Sequence, residues 1–165
     1  ASEKHESFDS QEAYEKYGKE NAANFYATDK NIQPLTESLW ERRVGSNNQV
    51  WLIEFYTPWC SACQNFMQMY KEIAEELADD VTIEVGAVNC ETQKELCQEY
   101  GIAAYPTILA INEKFHTRQE FQENKSKPAV TNWIRAVAKE WKYLFLTSNV
   151  EPIANLDFFQ FSLPL

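Results

Sequence analysis

The feature that most constrains this chain is the run from Val50 to Ala78. There the apolar segment Val50-Trp51-Leu52-Ile53-Glu54-Phe55-Tyr56 passes through Thr57-Pro58-Trp59 into Cys60-Ser61-Ala62-Cys63, and then into a helix-periodic stretch. A short, nearly continuous apolar run of this kind reads as a strand buried on both faces of a central sheet. Beyond it Phe66, Met67, Tyr70, Ile73, Ala74 and Leu77 keep to one helical face, so the spacing predicts a helix over 63–78, ended by Asp79-Asp80. A cysteine pair opening a helix places its first sulfur where free backbone N–H groups and the helix dipole favour negative charge. Thiols so placed drop from about 8.5 to about 3.5–7.5, which makes them good nucleophiles and good leaving groups. Cys60 is the expected nucleophile and Cys63, one turn further in, the expected resolving thiol. A structural bridge or half of a zinc site would use the same C-x-x-C. Closed zinc sites take four ligands, however, and the other cysteines, Cys90 and Cys97, have a different spacing, while the only histidines are His5 and His116. No metal is expected.

The remaining elements surround this segment. Ile32–Leu35 reads as an edge strand leading through Thr36 into a capped helix with Leu39, Trp40 and Val44. Val81 to Val88 alternates as a second strand, Glu91 to Tyr100 reads as a short helix closed by Gly101, and Thr107–Ile111 with Phe115–Phe121 reads as a hairpin. Pro128 to Leu146 is the last helix, its apolar stripe formed by Val130, Trp133, Ile134, Val137 and Trp141. The order β-α-β-α-β-α-β-β-α makes this an α/β chain with one core. Residues 1–30 are polar and read as a linker with a short helix over Gln11–Tyr17; the packed domain is expected over 31–146, and 147–165 as a linker or the start of a following domain.

Several function classes are excluded by composition. Five Trp, 8 Tyr and 10 Phe in 165 residues belong to a folded chain. A net charge of −10, with no basic stripe interleaved with aromatics, opposes binding to nucleic acid. No stretch reaches the roughly 20 apolar residues of a membrane-spanning helix, so no membrane partner is expected. The chain starts at Ala1 and carries no signal or retention motif, and reads as a mature or trimmed fragment. Four cysteines allow three pairings, with the local ones, Cys60/Cys63 and Cys90/Cys97, favoured; two pairs suit an oxidising compartment.

The segment from Trp51 to Cys63 resembles the active-site segment of the protein disulfide isomerase family. Tyr105-Pro106-Thr107 resembles that family's cis-proline motif, and Val130-Thr131-Asn132-Trp133-Ile134 its last helix. The resemblance covers roughly Ile32 to Leu146 and implies a thioredoxin fold, a central mixed β-sheet flanked by helices, with a cis-proline opposite the CxxC helix start. It implies that Cys60 and Cys63 exchange disulfides with protein substrates, that Trp59, Tyr105 and Pro106 contact the substrate, and that Glu54 is a buried carboxylate taking the Cys63 proton. The competing assignments are a solvent-facing strand residue for Glu54 and a plain strand start for Pro106. Family members often pair this carboxylate with a lysine on the next strand, where this chain has Ala87, which leaves Glu54 more dependent on water. Lys125 stands where some members carry a loop arginine, and is either a modulator of the Cys63 thiolate or a solvated loop lysine. The resemblance further implies a structural disulfide between Cys90 and Cys97, with a redox switch as the rival role. No cofactor is implied. Ser61-Ala62 differs from the Gly-His of the oxidising isomerases and the Gly-Pro of thioredoxin, which argues for a reductase or mild isomerase.

Gln11 to Gly18 resembles the closing segment of a J domain, without its HPD tripeptide; a polar linker helix is the alternative. Together with Gly86-Ala87-Val88-Asn89-Cys90 it resembles a J-domain-bearing disulfide reductase of the endoplasmic reticulum. That implies a lumenal location and an Hsp70 partner through an upstream J domain. A client-binding module of a J-domain chaperone, its cysteines never turning over, is the rival function.

Overall fold

In the computed structural model, which describes residues 24–148, Val50–Tyr56 forms strand β2 and every one of its residues is buried. The burial follows from its central place. β2 pairs in parallel with β3 (Ile83–Asn89) and antiparallel with β4 (Thr107–Asn112). The short β1 (Gln33–Pro34) joins the far edge of β3, and β5 (Thr117–Glu120) that of β4. The result is a mixed five-stranded sheet in the order β1-β3-β2-β4-β5.

Successive strand residues face opposite sides, and the core divides accordingly. On one face Val50, Leu52 and Tyr56 meet Phe66, Tyr70 and Ile73 of helix α2 (Ser61–Leu77) and Val130, Ile134 and Trp141 of the last helix, α4 (Lys127–Ser148). On the other, Trp51, Ile53 and Phe55 pack with Val44, which follows helix α1 (Glu37–Trp40), and with Leu96 and Cys97 of helix α3 (Lys94–Glu99). This is the thioredoxin fold, and the element order is the one expected from the sequence. At the start of α1 the Thr36 hydroxyl accepts the Leu39 N–H. At the end of α3 Gly101 takes a left-handed φ of 66°, letting the Gly101 and Ile102 N–H groups bond the Gln98 and Cys97 carbonyls.

Four expectations need correction. β3 starts at Ile83, not Val81: the Asp80 carboxylate accepts the Thr82 N–H at 2.9 Å, holding a turn that leaves Val81 83% exposed. α3 is shorter than the expected 91–100, because Asn89 takes the Glu91 N–H with its side chain and the Thr92 and Gln93 N–H groups with its carbonyl. Phe115 lies not in β5 but in a 3-10 turn (Glu113–Phe115), its ring stacked at 3.9 Å on Phe145 of α4. The fourth concerns the domain boundary. Phe25 and Tyr26 fall within the stretch read as linker, yet Tyr26 is 1% exposed in the core and Phe25 stacks at 4.7 Å on Tyr56. The packed domain therefore begins before residue 31. The Gln11–Tyr17 helix and residues 149–165 lie outside the described residues.

Candidate active site

β2 ends at Tyr56 and passes through Thr57-Pro58-Trp59, and Cys60 caps the helix that follows. Its backbone is extended (φ −73°, ψ 113°), and its Sγ accepts the Cys63 N–H at 3.2 Å, the role a serine or aspartate oxygen plays at other helix starts. Cys60 is half-buried, whereas Cys63, on the inner side of the first turn, is buried; both are free thiols. The Tyr105–Pro106 bond is cis, and the Cys60 thiol donates to the Tyr105 carbonyl at 3.5 Å. The loop before β4 thus lies against the exposed sulfur. Trp59 and Tyr105, 39% and 37% exposed, are among the large apolar side chains left open to solvent, and Pro106 is half-buried beside Tyr105.

Glu54 lies on the same side of the sheet as Cys63, and its charge acts on that thiol. It shares the β2 face of Leu52 and Tyr56 and is wholly buried, which settles its side of the sheet: it is not a solvent-facing strand residue. Burial pushes its carboxyl up to about 8, while a hydrogen bond from Tyr26 and the positive charge of Lys125 oppose the rise. The Tyr26 hydroxyl donates to Glu54 Oε2 at 2.5 Å, and Oε1 has no hydrogen-bond partner among the described residues. Burial also pushes the Cys63 thiol far above its ordinary range; the hydrogen bond with Cys60 and the charges of Cys60 and Glu54 add to this, and a backbone bond from Thr57 opposes it. The site therefore pairs an accessible sulfur with an inner thiol that gives up its proton reluctantly, and sets on the same side of the sheet a carboxyl group that burial pushes up to about 8. That combination suits stepwise disulfide exchange with internal proton transfer.

Comparison with known proteins places this arrangement, since residues 31–136 match the thioredoxin family. The chain belongs to that family. This thioredoxin-family chain is 31% identical over 111 residues to protein disulfide-isomerase A6 of Mesocricetus auratus, covering 67% of the chain and 25% of that protein. It is 34% identical over 92 residues to protein disulfide-isomerase MPD1 of Saccharomyces cerevisiae, covering 54% of the chain and 28% of that protein. The chain thus spans little more than a quarter of the length of these curated relatives. Among solved structures it is similar to the J-Trx1 fragment of ERdj5, with a TM-score of 0.64 and 25% identity over 70% of this chain and 55% of that one.

Within this thioredoxin-family site, Glu54 pairs with Ala87 of β3 on one side and Ile108 of β4 on the other. Both are apolar, so neither neighbouring strand supplies a partner for the carboxylate. Lys125 is exposed, in the loop before α4, and its charge acts on Glu54. Cys90 and Cys97 form a disulfide that ties the end of β3 to α3 on the opposite face of the sheet from Glu54. Among the described residues no cluster of His, Cys, Asp or Glu is arranged to hold a metal ion, and no helix is long and apolar enough to cross a membrane. The residue missed by sequence reasoning is Tyr26. Its only signal was an aromatic pair, Phe25-Tyr26, closing a polar run.

Proposed function

We propose that this chain is a thiol–disulfide oxidoreductase acting on protein substrates. The observation that carries the reading is the asymmetry of the two sulfurs: Cys60, half-buried, caps the helix, and Cys63 lies buried one turn inward on the side of the sheet that carries Glu54. In the reducing direction the Cys60 sulfur, as thiolate, bonds one sulfur of a substrate disulfide, and the other leaves as a thiolate. Cys63 passes its proton to Glu54 and attacks Cys60 Sγ, releasing the second substrate sulfur. The dithiol has become a disulfide, and the substrate disulfide has gained two electrons. Trp59, Tyr105 and Pro106 border Cys60 and are assigned to substrate contact, with an extended substrate segment lying against the Tyr105 main chain.

Similarity to protein disulfide-isomerases and to an ERdj5 fragment supports this reading. It also supports the lumen of the endoplasmic reticulum as the location, where a stable second disulfide is at home. An Hsp70 partner would act through a J domain upstream of the described residues.

Trapping tests the assignment. Cys63→Ser should accumulate mixed disulfides with client proteins that survive denaturation and vanish on adding reductant, because nothing remains to resolve them; Cys60→Ser should trap almost none. Equal trapping by both variants, or none by either alongside a working disulfide-isomerase control, would reject the nucleophile assignment and leave the client-binding module as the better reading.

A further inference from the structure

A carboxylate buried in a sheet interior needs partners, and on this face β3 and β4 present Ala87 and Ile108 to Glu54. The partner comes from outside the sheet. The turn containing Phe25 and Tyr26, ahead of β1, is held to the core by the Phe25 ring on Tyr56 and by the Phe25 N–H, which donates to the Tyr56 hydroxyl at 3.2 Å. This seats the Tyr26 ring against Tyr56 and Tyr70, with centroids 5.6 and 5.5 Å apart, and its hydroxyl on Glu54 Oε2. The Tyr70 hydroxyl, which could compete, lies 2.6 Å from the Gly86 carbonyl and donates there.

We propose that Tyr26 is a positioning residue for the exchange reaction: its hydroxyl anchors one oxygen of Glu54, leaving the other free to take the Cys63 proton, and so makes the segment before β1 part of the active site. The inference rests on the reading of Glu54 as the proton acceptor. The Tyr26 hydroxyl bonds the carboxylate and not a sulfur, so it acts through Glu54. The titratable groups around Glu54 are Tyr26 from the N-terminal turn, Tyr56 of β2, Cys63 and Tyr70 of α2, and Lys125 from the loop before α4; β3 and β4 contribute none. Of these, the Tyr26 hydrogen bond and the Lys125 charge favour the ionised carboxylate. Removing the hydroxyl therefore shifts Glu54 titration upward. A hydrogen bond to a charged group accounts for roughly one unit of such a shift, or about a tenfold smaller ionised fraction at pH 7.

The two chemical steps can be read separately with an aromatic disulfide that releases one coloured thiolate when Cys60 attacks and a second when Cys63 resolves. In the otherwise unaltered chain, Tyr26→Phe should leave the first phase unchanged, slow the second about tenfold at pH 7 and move its pH midpoint up by roughly one unit. In a Glu54→Gln background, Tyr26→Phe should add nothing. Phe25→Leu loosens the same turn without removing the hydroxyl and should leave the midpoint in place. An unmoved midpoint in Tyr26→Phe, with Glu54→Gln still slowing the second phase, overturns the role of Tyr26 while Glu54 keeps its own. A second phase unaffected by Glu54→Gln overturns the proton-acceptor reading itself. Equal shifts from Phe25→Leu and Tyr26→Phe would assign the effect to packing and overturn the positioning role.

Discussion

Glu54→Gln should make this protein more stable at neutral and alkaline pH, by an amount that grows with pH. In the folded state the carboxyl is wholly buried and titrates at about 8 instead of the ordinary 4.5. Between those values the native state keeps a proton that the unfolded chain sheds, so stability falls as pH rises through the window. No cost arises below pH 4.5, and the full cost is reached above pH 8. At 1.36 kcal/mol per unit the full cost is about 5 kcal/mol, of which about 3 kcal/mol is present at pH 7. A glutamine is neutral throughout, and its side-chain oxygen can still accept the hydrogen bond from the Tyr26 hydroxyl. Its amide nitrogen needs an acceptor, an offset of about 1–3 kcal/mol that does not change with pH. The assay is urea denaturation of wild type and Glu54→Gln from pH 4.5 to 9, followed by tryptophan fluorescence. With slopes of about 1–3 kcal/mol per molar, the variant's midpoint should rise relative to wild type by about one molar or more across the range. A difference between the two proteins that stays constant from pH 5 to 8 would refute the reasoning, since it would mean that Glu54 ionises as readily in the folded chain as in the unfolded one. The opposite slope would mean that the fold stabilises the carboxylate.

Two further outcomes test the frame around the site. Gly86→Ala should destabilise by about 1–3 kcal/mol in the same denaturation assay, because a Cβ there would stand 2.6 Å from Leu35 Cδ1 and 3.2 Å from Trp51, both buried side chains. Replacing Cys90 and Cys97 together with alanine should lower stability by about 2 kcal/mol, the chain-entropy value for a loop of sequence separation 7. Client trapping in a Cys63→Ser background should survive that double change, and its loss would show that the bridge takes part in exchange.

What sequence alone determines here is local or periodic. The apolar run Val50–Tyr56 reads as a central strand because burial on both faces leaves no room for alternation, and the structure places it at those residues. The helices from Ser61 and Lys127 are legible from one-sided apolar spacing, and the end of α3 from the left-handed turn at Gly101. Cys60 and Cys63 stand out because strand, turn and helix are contiguous in sequence. Short-range hydrogen bonds compete with regular structure at two element starts that periodicity does not locate: the Asp80–Thr82 turn displaces the start of β3, and Asn89 delays α3. Tertiary structure alone decided the surroundings of Glu54. Whether a lone glutamate in an apolar strand is buried or solvated depends on what covers that face, and here the cover includes a tyrosine from a polar stretch 28 residues earlier in the chain. No periodicity links Tyr26 to Glu54, because a hydrogen bond between distant segments leaves no pattern in either one. Their pairing is a product of the fold, which packs the Phe25-Tyr26 turn against the face of β2 that carries Glu54 and Tyr56.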